Sequence, residues 1–122
     1  MPLVFPEQDL MLHLIDLYFS HVNVLFPVFH RPTFENLILQ GQHSCQFQLG
    51  NIVLAMCAVA CRYSTDARVF NEAEGTGDTS GWQWFSQVRP IRRTLTSAPS
   101  IWELQLYCVR TLFEKPFRHF PG

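Results

Sequence analysis

At 122 residues, with 48% hydrophobic and 16% charged side chains, the chain is at most one domain and is not a disordered one. A formal net charge of −1 gives it no global field toward nucleic acid or anionic membrane, which argues against direct DNA binding. Eleven phenylalanines and three tryptophans call for a bulky core, or for a large surface that something else covers.

The start of the chain has no basic region followed by an apolar core, so a secretory signal is not expected. No apolar run approaches the ~20 residues of a membrane span, and the richest, 52–60, has the length of a core helix. Cysteines 45, 57, 61 and 108 form no CxxC pair and no zinc-ribbon spacing. They read as buried thiols in a reducing compartment, nuclear or cytosolic.

Pro6-Glu7-Gln8-Asp9 opens the first helix with acidic residues where its dipole favours them. Leu10, Leu14, Leu17, His21 and Val22 fall near helical spacing, and Tyr18 and Leu25 widen the stripe. This helix is expected to run to about Val24 and to stop at Phe26-Pro27. The string LFPVFHRPTF at 25–34 then bends at Pro27 and Pro32 and is too aromatic for a solvated loop. Its expected job is to reverse the chain and plug Phe26, Phe29 and Phe34 into the core. Thr33 is a good N-cap for a short helix bearing Phe34, Leu37 and Ile38, with Gly41 as its stop.

Leu49, Ile52, Val53, Met56, Cys57 and Ala60 mark a third helix, and Ala55, Ala58 and Val59 make its opposite side apolar too. A helix apolar nearly all round is a central one. Residues 71–81, NEAEGTGDTSG, form the clear loop; they lack Lys and carry negative charge, so they are no phosphate cradle. Ser80 with Gln83 has capping-box spacing and opens a helix with Trp82, Phe85, Val88 and Ile91, which Pro90 should kink or break. Pro99-Ser100 with Glu103 opens a last helix through Leu104, Tyr107, Cys108 and Leu112. The pattern predicts an all-α, partial multi-helix domain of about five helices, with no sheet and no internal repeat.

Constellations that could carry chemistry are few. Cys57 and Cys61 share a helix face at i and i+4, but their neighbours are apolar and core packing is the better reading than metal binding. Histidines 13, 21, 30, 43 and 119 form no HExxH or H-x3-H arrangement. His13 and Asp16 read as a polar pair on the first helix, and His21 as a satisfied core histidine. His30 and Arg31 are expected to bond the carbonyls freed where the first helix ends. There is no GxSxG and no cysteine flanked by charges that depress its pKa. Arg89, Arg92 and Arg93 follow Trp82, Trp84 and Phe85, and read as a solvated helix face rather than a stacking site for single strands. No catalytic, cofactor-binding or metal-binding residue is expected, and the chain is not expected to be an enzyme.

Four stretches taken together carry a resemblance: DLMLHLIDLYFSHVNVLFPVFHRPTF at 9–34, VLAMCAVACRYSTDARVF at 53–70, GWQWFSQVRPI at 81–91 and PSIWELQLYCV at 99–109. In this order and spacing the chain resembles the N-terminal part of the fungal-specific transcription factor domain, the middle homology regulatory region of fungal zinc-cluster regulators. The resemblance divides the chain into a lead-in at 1–8, the domain part at 9–112 and a divergent tail at 113–122. It implies a nuclear regulator of transcription in which a separate six-cysteine zinc cluster binds DNA. Zinc and DNA contact therefore belong to a module this chain lacks, and RTLFEKPFRHFPG after Val109 departs from the pattern, as in a fragment or truncated product. Other protein subunits or regulators and a small-molecule effector are the partners implied, with no membrane. A stand-alone helical protein–protein adaptor is the alternative. If missing helices normally cover the third helix, the chain is expected to expose apolar surface there and to be marginally stable or to associate.

Overall fold

The computed structural model describes residues 3–64, 81–88 and 101–114. These hold six α-helical segments and no strand: α1 (Gln8–Leu17), α2 (Arg31–Leu39), α3 (Gln42–Cys45), α4 (Phe47–Ala60), α5 (Trp82–Phe85) and α6 (Ile101–Glu114). The all-α reading holds, and the helix beyond the expected five is the single turn α3. Residues 71–80 of the acidic loop, Ser80, Pro90, Pro99, Ser100, the arginines 89, 92 and 93 and the tail from 115 lie outside the described residues.

Asp9 sits in the first turn of α1, which buries Leu10, Met11, Leu14 and Ile15. The helix then widens into a π-helical turn, Tyr18–Val22, closed by Asn23 N–H donating to the Tyr18 carbonyl at 3.0 Å. It ends at Val22 rather than Val24. The reason is Asn23, whose side chain accepts from Phe29 N–H at 3.2 Å and donates to the Phe29 carbonyl at 3.0 Å, clasping the returning chain. α2 starts at Arg31, with His30 as N-cap and Pro32 in the first turn, not after a Thr33 cap. Pro32 already has the φ a helix start needs and no N–H to satisfy, so the helix begins around it. Gly41 does end α2: at φ 75° it donates to the Ile38 carbonyl at 3.0 Å, and the same residue caps α3.

Every residue of α4 from Leu49 to Ala60 is buried. The helix packs against α1, α3, α5 and α6. At roughly 1.5–3 kcal/mol for each large apolar side chain, Leu49, Ile52, Leu54 and Met56 alone offer about 6–12 kcal/mol before entropy. This chain's own elements thus enclose α4, so the apolar surface expected there if further helices normally cover it is not exposed.

α5 is a short turn capped by Gly81 at φ 88°, so the cap is one residue later than Ser80. A Cβ at Gly81 would lie 2.6 Å from the Ala58 carbonyl oxygen, so only glycine lets this turn rest on α4. α6 buries Leu106, Val109 and Phe113, while Leu104, Tyr107 and Cys108 of the expected stripe face outward. Its end is tied down twice: Phe113 stacks on Phe85 at 4.1 Å, and Arg62 lies over the Phe113 ring and donates to its carbonyl at 2.8 Å.

Candidate functional site

The α1–α2 turn is where the chain's unusual residues meet. Phe29 and Phe34 are buried and 5.3 Å apart, and they join Tyr18 and Phe19 in an aromatic cluster of tilted and edge-on rings. Phe26 does not join it: 37% exposed, it stays at the surface with Val24 and Leu25. The turn reverses the chain as expected, but two of its three phenylalanines plug the core, since Asn23 pins the backbone at Phe29 rather than Phe26.

His30 and Arg31 do not take the freed carbonyls. His30 Nδ1 shares a 2.8 Å hydrogen bond with Thr33 Oγ1. Arg31 bonds Asp16 on α1 and Glu35 on its own helix, and lies over the Phe19 ring. The Asp16 bond first and the Glu35 bond second raise its pKa, so its charge is secure. Asp16 therefore pairs across the helices and not with His13. His21 is exposed and stacks on Tyr63 at 4.8 Å, so it is not a core histidine.

Beside this turn, Phe29, Phe34 and Trp102 wall a cleft of about 160 Å³, with His30, Thr33 and Gln105 at its rim. Gln105 Nε2 donates to the Val28 carbonyl at 3.2 Å, joining α6 to the turn. The lining has room for a small apolar group and offers neither a carboxylate nor a thiol. Next to it runs the outward face of α6, where Ile101, Leu104 and Tyr107 are all at least half exposed. Leu25 and Phe26 are likewise exposed at the turn itself.

The cysteines split two ways. Cys57 and Cys61 are buried in α4 and its end; Cys45 and Cys108 are exposed, contrary to the expectation of four buried thiols. Burial pushes Cys61 up to about 12 and holds Cys57 well above the ordinary thiol range, with Cys61 adding to the latter. Both are poor nucleophiles and poor metal ligands at neutral pH. Among the described residues no group of three His, Cys, Asp or Glu side chains is placed to hold a metal ion, and no helix is long and apolar enough to cross a membrane.

Two clasping amides escaped sequence reasoning. Asn23 is one; the other is Gln87, which accepts from Val4 N–H at 2.7 Å and donates to the Val4 carbonyl at 2.8 Å. An Asn just past an amphipathic run is a signal that could have found the first. Nothing in the sequence marks the second, whose partner lies 83 residues away.

No curated protein and no solved structure matches this chain. Residues 15–118 match the fungal specific transcription factor domain, a span that takes in the whole aromatic turn and every described helix after α1. The chain belongs to the fungal specific transcription factor domain family.

Proposed function

We propose that the chain is the regulatory, non-DNA-contacting part of a fungal zinc-cluster transcription regulator, acting in the nucleus and without catalysis. The observation that carries this reading is the family match over residues 15–118. DNA contact and zinc belong to a separate six-cysteine module. The net charge of −1 and the exposed apolar side chains Leu25 and Phe26 at the turn and Ile101 and Leu104 on α6 support a role in contacts with protein rather than with phosphate. In this reading the aromatic turn is structural: it fixes α1 against α2 and presents Leu25 and Phe26.

The test is a fusion of residues 1–122 to an unrelated DNA-binding domain over a reporter gene. The fusion should change reporter output at least several-fold relative to the DNA-binding domain alone. Substituting Leu104 and Tyr107 by serine should abolish the change without unfolding the chain. Shifted mobility of a DNA duplex by the chain alone at low salt would sink the non-DNA-contacting assignment. The exposed α6 face also suits the adaptor alternative, in which the chain titrates intact zinc-cluster relatives. A silent reporter, together with co-purification of such a relative that the serine variant loses, would favour it.

A further inference from the structure

Chemistry of a different kind is assembled between α1 and the α2–α3 corner. α1 and the α2–α3 corner flank an open pocket of about 330 Å³, whose apolar wall is Phe5, Met11, Leu12, Ile38 and Leu39 and whose polar side is Gln8, His43 and Ser44. Two glycines build it. Gly41, at φ 75°, turns the chain from α2 into α3. Gly50 lacks the Cβ that would sit 2.9 Å from both the His43 carbonyl and Leu3, so α3 and the lead-in lie directly on α4.

The His43 ring stands edge-on to Phe5, with centroids 5.0 Å apart at 84°. Its Nδ1 is buried and has no hydrogen-bond partner among the described residues. Burial lowers its pKa, so the ring is neutral at pH 7. A neutral imidazole has a single N–H, and an orphaned buried donor costs more than an orphaned lone pair. That places the proton on Nε2, the donor nitrogen of a partly exposed ring. No Lys, Arg, Asp or Glu lines the cavity. A second cavity of about 260 Å³ shares Leu12, Ile38 and Leu39 and continues toward Asp16, Arg31 and Glu35.

We propose that this cavity binds a small uncharged amphipathic molecule, its apolar body against Met11, Leu12, Ile38 and Leu39 and its carbonyl oxygen accepting from His43 Nε2–H. The volume is at the lower end for ligand sites and suits one ring with a short substituent. The inference deepens the regulatory reading by giving it an effector class. It is tested by binding alone, so it and the reporter result can fail separately.

The experiment titrates the folded chain with acetophenone and with ethylbenzene, which differ in one carbonyl, and follows the methyl resonances of Met11, Leu12 and Leu39 by NMR. Acetophenone should shift all three saturably and bind roughly 2- to 10-fold tighter than ethylbenzene, the ratio one net hydrogen bond provides. His43→Phe keeps the contact with Phe5 and should bring the two probes level. Leu39→Ser, at an exposed position, should weaken both probes about equally and serves if the His43 variant does not fold. Absence of saturable shifts, equal binding of both probes to the unaltered chain, or a preference that survives His43→Phe would overturn the proposal.

Discussion

α4 and α6 are both 14 residues long and lie against each other, yet α4 buries twelve residues and α6 three. The difference begins in composition. α4 has no charged side chain, and Gly50, Ala55, Ala58 and Ala60 let other backbone approach it from several sides. α6 carries Glu103, Arg110 and Glu114 along one edge, but it has two apolar faces, of which only the one with Leu106, Val109 and Phe113 is covered. An apolar stripe thus reports what a helix is able to bury, and its neighbours decide which stripe it does bury.

The contrast can be broken at α4 first. Leu54→Ala should cost about 2–5 kcal/mol in urea unfolding, whereas Leu104→Ala on α6 should stay within about 0.5 kcal/mol. Equal losses would mean that α6's outer face is covered in solution. Gly81→Ala forces an L-residue into positive φ against the Ala58 backbone and should lose about 1–3 kcal/mol. Gly41→Ala, also at positive φ but with open space, should lose less. Asn23→Asp removes the donor to the Phe29 carbonyl and should cost about 1–2 kcal/mol, with α1 and α2 loosening together in hydrogen exchange.

A pH series sharpens the same comparison. The raised thiols of Cys57 and Cys61 ionise in the unfolded chain before the folded one. Their contribution is therefore complete below about pH 9 and falls as pH rises toward 12. Melting temperature should drop over that window, and less so in a Cys57→Ala/Cys61→Ala variant. In the folded chain at neutral pH, Cys108 on α6 and Cys45 should react with a thiol reagent while the α4 pair stays protected. The smallest effect belongs to Arg31→Met: its exposed ion pairs with Asp16 and Glu35 are worth under about 1 kcal/mol, and salt should reduce that further.

Much of the fold was legible in local signals. The all-apolar circumference of α4 announced a central helix, Gly41 announced the end of α2, and Phe85 and Val88 are buried as expected, whereas Trp82 of the same expected stripe is half exposed and Trp84 is buried instead. What was not legible depended on choice between near-equal options. The α6 sequence offers Leu104, Tyr107 and Cys108 at helical spacing as convincingly as Leu106, Val109 and Phe113, and the packing of α6 on α4, with Phe85 and Arg62 beside Phe113, decides between them. His21 and Arg31 went astray for a related reason: their partners, Tyr63 and Asp16, are brought near by the fold and not by the neighbouring sequence. The His43 cavity was invisible because its shape comes from Gly41 and Gly50, each unremarkable until the backbone around it is seen.

The π-helical turn at Tyr18–Val22 sets the chain's reading frame in space. It holds Tyr18, Phe19 and Val22 inward together, by spreading one turn over more residues than an α-helix uses. Inserting one further residue there would overfill the turn and, if the regular repeat absorbed it, rotate everything after it by roughly 100°. Asn23 would then point away from Phe29, and the aromatic turn would lose its latch. Tolerance of insertions should accordingly fall to a minimum in these five residues.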